Sequence, residues 1–540
     1  MKKLTLGEYR DKLMGCWIGK NVGGVLGAPL ECHRGVFDLD YYTWDFSKGL
    51  VPNDDLDLQL VWLMALEEYG KNLNAALLSE YWTTYIVAYW NDYGIGKRNL
   101  QIGLMPPLSG MVSLYKDGCG SFIRTEIFAC VAPGYPELAA RLAYEDVIIT
   151  NSDEGVYGAI FCAVVESAAF VESDKFKLIE IGLSYIPDDC AIAKGVRCAL
   201  KAHATGKTWQ EARVDVMTEV PGTFGLQIRD FGNVSEDVPV GKKGWDTPSN
   251  IGLMIIGWLY GEDDFGKSLC ITVNCGEDTD CTGATLGSIL GIISGAKNLP
   301  PKWVEPLGDK FKTLCLDLTT EGMEDFILEF DYKNMAKRPK EKTIPKDITE
   351  LVERIIKLTP KMLSGDAIDY ESDEKGYILN LLEGDDLLMT PKSINYWLSD
   401  NYLEEMVENL KAIRYETPIY NLFVDYNDGP FIKSGDAKKI RLTFANKIPQ
   451  QQWLKLKILA PEHIEVQPMH EMMVFLDLPV HGKSRVELSF WIEKVVNCQE
   501  DIIISVESQG RPTKLLVPVK FIAGTYQQNI VNLKEEREKK

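Results

Sequence analysis

The sequence predicts a multidomain chain: an all-α domain first, then a small antiparallel β-sandwich. Three observations carry this. Apolar residues recur at helical spacing from Leu6 to about Ala296, in stretches such as Leu58–Tyr69, Asn74–Trp90, Gly155–Phe170 and Thr279–Gly295, separated by short Gly, Pro and Asp turns. From about Tyr415 to Ile522 the period changes to two, in Ile440–Phe444, Leu454–Ile458, Val486–Phe490 and Ile502–Val506, with Pro, Gly and Asn between them. At 540 residues, and about 150 residues per domain, the chain has room for two to four domains. The expected boundaries are 1–335 for the helical domain, 336–412 for a charged helical connector, 413–525 for the sandwich and 526–540 for a Lys- and Glu-rich tail.

Composition narrows the function. Hydrophobic residues make up 45% and charged residues 25%, ordinary for a globular protein. The net charge of -21 excludes the basic footprint that non-specific nucleic-acid binding needs. A nucleotide ligand stays open, because a bound cation can supply positive charge locally. The 12 cysteines are scattered, mostly in apolar surroundings, and form no CxxC pair. Free thiols in a reducing, cytoplasmic setting are the simplest reading. No apolar run follows the Lys2-Lys3 start, so neither a signal peptide nor a membrane span is expected.

Within the helical part, Gly15, Gly19, Gly23 and Gly27 fall four apart, as do Gly283, Gly287, Gly291 and Gly295. Each helical glycine costs roughly 1 kcal/mol against alanine, so two such stripes need a compensating close approach between helices. Two acidic clusters open helices: Asn53-Asp54-Asp55-Leu56-Asp57, and Glu277-Asp278-Thr279-Asp280-Cys281-Thr282 after the turn Asn274-Cys275-Gly276. Taken singly, each is a cap whose carboxylates complement a helix dipole. Taken together, they offer the oxygen ligands that hard cations such as Mg²⁺ and Mn²⁺ prefer. If the glycine stripes pack the helices closely, the acidic ends of both segments meet.

These motifs, in this order, resemble the ADP-ribosylglycohydrolase family, which includes the dinitrogenase-reductase-activating glycohydrolases. Gly15-Cys16-Trp17-Ile18-Gly19 through Gly27-Ala28-Pro29-Leu30-Glu31 is similar to the family's opening G-x-x-x-G…G-x-x-x-E helix. Asn53-Asp54-Asp55-Leu56 resembles its T-D-D-T motif, and Gly276-Glu277-Asp278-Thr279-Asp280-Cys281 its G-G-D-T-D-T motif. Arg124, in Gly120-Ser121-Phe122-Ile123-Arg124, stands where the family has a G-x-x-M-R loop near the ligand. The resemblance covers about residues 6–300. It implies an all-α fold and a pair of Mg²⁺ ions, with Mn²⁺ as the alternative, cleaving an ADP-ribose-type glycosidic bond.

Carried over position by position, the resemblance makes Asn53, Asp54, Asp55, Asp278 and Asp280 metal ligands. Glu31, Asp55 and Asp278 become catalytic, and Arg124, Gly120, Ser121 and Asn151 substrate-binding. The implied substrate is a small molecule or an ADP-ribosylated protein; the rivals are a nucleoside or other small glycoside, and an inactive ADP-ribose-binding scaffold. Four positions depart from the family pattern: Asn53 and Leu56 for threonines, Cys281 for the last threonine of the second motif, and Asn151 for a histidine after Thr150. A thiol is a poor partner for Mg²⁺, so Cys281 is expected not to bind that ion, and its ligand position is lost, taken by water or supplied by Thr282. His33, two residues beyond Glu31, reads as a loop histidine before a cleft residue, and Trp82, Tyr85, Tyr89, Trp90 and Tyr93 read as core on helical spacing, with one or two at a cleft rim, stacking on an adenine or sugar, as the alternative. Trp245–Asn250 reads as a capping turn or a substrate rim. The sandwich carries no catalytic signature; dimerisation, rim shaping and carbohydrate binding are its candidate roles.

Overall fold

The structure is a computed structural model that describes residues 1–31, 33, 35–52, 54–89, 91–220, 244–316, 344–363, 365–370, 376–389, 403, 406, 408–479 and 483–524. Asn53, Trp90 and the charged tail therefore lie outside the described residues. The chain divides into two compact units: Met1–Gln101 with Ser113–Asn395, and Ile102–Val112 with Tyr396–Lys540.

The first unit is helical. Its opening helices are α1 (Leu6–Gly27), α2 (Asp54–Tyr69), α3 (Ala75–Tyr85) and α4 (Asn91–Gln101); α5 (Leu108–Met111) belongs to the second unit. Next come α6 (Glu126–Val131), α7 (Pro136–Val147), α8 (Glu154–Ala168), α9 (Lys175–Ser184), α10 (Ala191–Ala204) and α11 (Trp209–Glu219). The described set closes with α12 (Thr247–Tyr260), α13 (Phe265–Asn274), α14 (Thr279–Ser294), the short α15 (Pro301–Val304) and α16 (Ile348–Met362). Helices buried almost all round mark the centre: α12 is buried from Thr247 to Leu259, and α14 from Thr279 to Ile289. The helix expected over Asn74–Trp90 is shorter. Asn74 caps α3 by accepting from Leu77 N, and the β-branched run Thr83, Thr84, Ile86, Val87 favours leaving the helix, which ends at Tyr85.

The two glycine stripes form one seam. A methyl group on Gly15, Gly19 or Gly23 of α1 would overlap the carbonyl oxygen of Gly291, Gly287 or Gly283 of α14, and one on Gly27 that of Thr279. The pairing runs 15 to 291 and 27 to 279, so the helices are antiparallel. Consequently the end of α1 lies beside the start of α14, bringing Glu31 near Asp278 and Asp280.

Of the segment expected as a separate connector at 336–412, the described residues as far as Met389 belong to the helical unit and those from Leu403 on to the second unit. Strand β1 (Lys2–Thr5) pairs with β3 (Tyr377–Leu381), which pairs with β2 (Ile368–Tyr370), in an antiparallel sheet with Leu4 opposite Leu379. Helix α16 buries one apolar stripe, including Leu351, Val352, Ile355 and Met362. It is tied to α1 by Tyr9 Oη–Thr359 Oγ1 at 2.7 Å and by Arg10–Glu353, whose guanidinium donates at 2.8 and 3.1 Å. The physical reason is burial: an amphipathic stripe this apolar has to be covered.

The second unit is the expected sandwich. One sheet runs β4 (Ala412–Glu416), β5 (Tyr420–Asp425), β7 (Asp436–Asn446), β11 (Ser484–Ile492), β9 (Ile464–Gln467). The other runs β10 (Glu471–Leu476), β8 (Gln452–Leu459), β12 (Gln499–Ser508), β13 (Lys514–Ala523), β6 (Phe431–Ile432). All pairs are antiparallel except β13 with β6. Alternate residues such as Ile440, Leu442, Phe444, Leu454, Leu456 and Ile458 face one shared core. Leu104 and Leu108 join that core, so this unit also takes in a stretch that the sequence boundaries had assigned to the helical domain.

Candidate metal centre and cavity

Three helix starts meet in the helical unit. Helix α2 opens with Asp54 and Asp55, α4 with Asn91 and Asp92, and α14 with Thr279 and Asp280 behind its N-cap Asp278. The positive ends of three helix dipoles therefore converge with their carboxylates. The turn into α14 is held open by left-handed backbone at Gly276 (φ 74°) and Glu277 (φ 70°). A side chain at 276 would overlap the Gly35 carbonyl oxygen, so glycine is required there. Asn274 ties the turn to the loop after Glu31: its Oδ1 accepts from Leu39 N at 2.9 Å and its Nδ2 donates to Leu39 O at 3.0 Å. Asn250 Oδ1 in turn accepts from Asp278 N at 3.1 Å.

A cavity of about 220 Å³ opens between these elements, with Glu31, Asp54, Asp92, Asp278, Asp280 and Cys281 on its wall. Glu31 is exposed and Asp54 partly exposed, while Asp55, Asp278 and Asp280 are buried. Two donor groups form at the floor. One ligand atom each from Glu31, Asp278 and Asp280 lie within 4.8 Å of one another; so do one each from Asp55, Asp280 and Cys281. Asp280 belongs to both. One oxygen, Oδ1, of Asp278 and of Asp280 is buried and accepts no hydrogen bond. The donors fit a pair of divalent cations, because otherwise those buried oxygens are left unsatisfied beside like charges.

Burial and mutual repulsion push protons onto these groups. The Asp278 carboxyl is held well above its ordinary range by burial, then by Asp280 and Glu31. Asp280 is pushed up to about 6 by burial and by Asp54. Asp55 is also driven up by burial, against the opposing pull of the Lys20 ammonium. Burial raises Asp92 to about 6 despite Arg124. Cys281 donates to Asp55 Oδ1 at 3.7 Å, and burial together with the surrounding carboxylates keeps its thiol protonated in the absence of a cation.

The expected residues distribute over two layers. Glu31, Asp54, Asp55, Gly120, Asp278 and Asp280 stand at the cavity or its floor donors. Asp54 is in neither donor group; it is hydrogen-bonded by Tyr93. Arg124, Ser121 and Asn151, expected to bind substrate, are fully buried and are not among the residues lining the cavity. Arg124 Nε donates to Asp146 Oδ2 at 2.6 Å, Nη2 to Thr150 Oγ1 at 2.8 Å and Nη1 to the Gly120 carbonyl, with Asp92 Oδ2 at 3.7 Å. Every edge of the guanidinium is engaged by protein, so it shapes the 119–124 turn. Asn151 Nδ2 donates to Tyr115 O at 3.2 Å and Gly118 O at 3.4 Å, and Ser121 Oγ lies 3.2 Å from Thr247 Oγ1. The Thr282 hydroxyl donates to the Asp278 carbonyl oxygen at 2.9 Å. Asp57 neither faces solvent nor joins the site; it accepts from Leu314 N at 2.6 Å and from Cys315 N.

Several wall residues carried no such expectation, among them Asp92, Tyr115 and Cys119, whereas Tyr93, one of the aromatics weighed as core or cleft rim, is both buried and on the wall. Asn91-Asp92 was the available signal, a third acidic helix start of the same kind as the other two. Trp245 also lines the cavity, while Asp246 caps α12 by accepting from Ser249 N at 3.4 Å, so the Trp245–Asn250 stretch is both rim and cap. His33 has its Nδ1 2.9 Å from the Glu31 carbonyl oxygen and does not line the wall. Behind the floor, Lys20 is wholly buried and donates to Glu126 Oε1 at 2.7 Å and Ile123 O at 2.8 Å. Gln59 links this pair to the site by donating to Asp55 O at 2.9 Å and Glu126 Oε2 at 2.8 Å.

The helical unit with its cavity defines a class of protein: a mainly helical body, edged by one small sheet, in which carboxylates at helix starts form a cation-competent centre. A sequence profile of the ADP-ribosylglycohydrolase family matches residues 5–327. The chain belongs to this family, whose name points to glycohydrolase activity. No curated protein matches the chain. Among the described residues, no helix is long and apolar enough to cross a membrane.

Proposed function

We propose that this protein is a cation-dependent glycohydrolase that cleaves the glycosidic bond of an ADP-ribosyl or related ribosyl compound, either a small molecule or an ADP-ribosylated protein. The observation that carries this is the pair of donor groups sharing Asp280 at the floor of the acidic cavity. Asp55, Asp278, Asp280 and Glu31 would hold the cations, with Mg²⁺ and Mn²⁺ the ions matched to carboxylate oxygens. A bound cation pair supplies Lewis acidity and orients sugar hydroxyls and water. Glu31, exposed where Asp278 and Asp280 are buried, would exchange a proton with solvent and substrate. The buried carboxylates favour positive charge growing at the anomeric carbon. Arg124, Asn151 and Gln59 act by holding this wall in place.

One observation favours a neutral substrate over a diphosphate. No Lys or Arg stands among the described residues lining the cavity, so none of those residues offers a side-chain cation to a phosphate. A nucleoside or other small glycoside is therefore the second reading. The deciding experiment strips the protein with chelator and assays ADP-ribosyl, nucleoside and aryl-glycoside substrates with and without Mg²⁺ or Mn²⁺. Turnover restored by a divalent cation, and lost in Asp278→Asn and Glu31→Gln, is the expected result. Undiminished turnover in chelator, or in Asp278→Asn, defeats the reading.

A further inference from the structure

The two donor groups differ in chemistry. Glu31, Asp278 and Asp280 offer oxygen only, whereas Asp55, Asp280 and Cys281 include a sulfur. Cys281 Sγ lies 3.7 Å from Asp55 Oδ1. Two ligands at Zn–S and Zn–O bond lengths on a tetrahedral centre stand about 3.6 Å apart, so these atoms already have the spacing of one edge of such a site. Independently, the buried Oδ1 of Asp280 accepts no hydrogen bond. Sulfur ligands favour softer cations than carboxylates and water do.

We propose that the centre takes two unlike cations, a hard one of the Mg²⁺ class at Glu31–Asp278–Asp280 and a borderline one of the Zn²⁺ class at Asp55–Asp280–Cys281. The inference rests on the cation-dependent reading above and adds the identity of one ion. On binding, the Cys281 S–H bond breaks, its proton passes to buffer, and an Sγ–cation bond forms. Cys119 is the other thiol on the wall; it is hydrogen-bonded to Asp278 and belongs to neither group.

Cobalt(II) reports the difference, because sulfur ligation adds a near-ultraviolet charge-transfer absorption to the visible bands of the ion. The full chain, stripped with chelator, is titrated with Co²⁺ in the presence of excess Mg²⁺. The absorption should saturate at one equivalent, bleach when Zn²⁺ is added, survive in Cys119→Ser, and vanish in Cys281→Ser and Cys281→Thr. Zn²⁺ affinity should fall in both Cys281 variants by more than about tenfold, the lower end of what losing even an outer partner costs, while Mg²⁺ affinity holds. Circular dichroism establishes that each variant is folded, and the threonine variant serves if the serine variant is not. Visible cobalt bands without the charge-transfer absorption would overturn the inference and leave the cation-dependent reading standing. So would an absorption that follows Cys119 instead of Cys281. No spectral or thermal response to Co²⁺, Zn²⁺, Mg²⁺ or Mn²⁺ would take down both.

Discussion

Arg124 is a residue whose replacement should do great damage without removing any contact to a ligand. Its guanidinium satisfies Asp146, Thr150 and Gly120 in full burial, with Asp92 at 3.7 Å. Arg124→Met leaves two buried carboxylates facing no cation, and the expected loss is about 3–5 kcal/mol in a denaturant melt. Arg124→Lys should recover little, because one ammonium cannot reproduce the planar fork. Asp280 makes the opposite case. Its folded-state carboxyl is raised to about 6, so its favourable contribution is complete below the unfolded value near 3.8 and is lost as pH rises through 6. Without cation, Asp280→Asn should therefore be more stable than the parent at pH 7.5, by about 1–3 kcal/mol, and no more stable at pH 3.5. The same variant should lose the cation-induced rise in melting temperature. Thermal scans at both pH values, with chelator and with cation, check the pair of outcomes; an Asn variant weaker than the parent at pH 7.5 without cation would contradict the account. Arginine and aspartate are both polar in a sequence, and nothing local reveals that one faces protein on every side while the other faces a cavity.

At the scale of elements, the α1–α14 seam is the part most open to test. A methyl group at Gly19 or Gly287 meets a carbonyl oxygen of the other helix, so Gly19→Ala or Gly287→Ala must part the helices. The expected cost exceeds the 1–3 kcal/mol of ordinary overpacking, and cation affinity should fall with stability because Glu31 leaves Asp278. Gly7→Ala in α1 is the control. Nothing lies within 4 Å of a methyl group there, and helix propensity predicts a gain of up to about 1 kcal/mol. Denaturant midpoints for the three variants decide it. This seam was legible in the sequence, because glycines four apart weaken a helix unless a second backbone packs against their face, and two such stripes supply each other's partner. The third helix start was less so. Asn91-Asp92 looks like any capped turn, and only the fold shows that it points toward Asp54 and Asp278. Strand β1 was not legible at all. Four residues carry no periodic signal, and their partner β3 lies more than 370 positions away.

For the whole molecule, the expectation is a localised response to cation. The donors sit on the helical unit, at the end of α1 and the starts of α2 and α14, and none comes from a sandwich strand. Amide exchange should slow on cation binding in the loop after Glu31, in the 119–124 turn and in the 274–281 turn. The strands β7, β8, β11 and β12 should exchange at unchanged rates. Equal protection across the sandwich would contradict the placement of the centre. The division into a helical part and a β part was readable from the switch of period near Tyr415, since burial on a helix and on a strand leave different repeats. The boundaries were not, because Leu104 and Leu108 are apolar residues like their neighbours, and α16 carries the same polar face as a free-standing connector.

The seam has a consequence for how such a centre can change over time. Where two helices touch through side chains, any substitution alters their separation, and donor distances drift with it. Here the backbones themselves are in register, Gly19 on Gly287 and Gly23 on Gly283, so the chain acts as a ruler with no adjustable marks. Spacing between the end of α1 and the start of α14 is set by the two backbones, not by the atoms at the ends of the side chains. On the two-cation proposal, exchanging an oxygen for a sulfur at position 281 would alter which ion is preferred without moving the helices that carry the donors. A scaffold of this kind can diversify its chemistry one atom at a time.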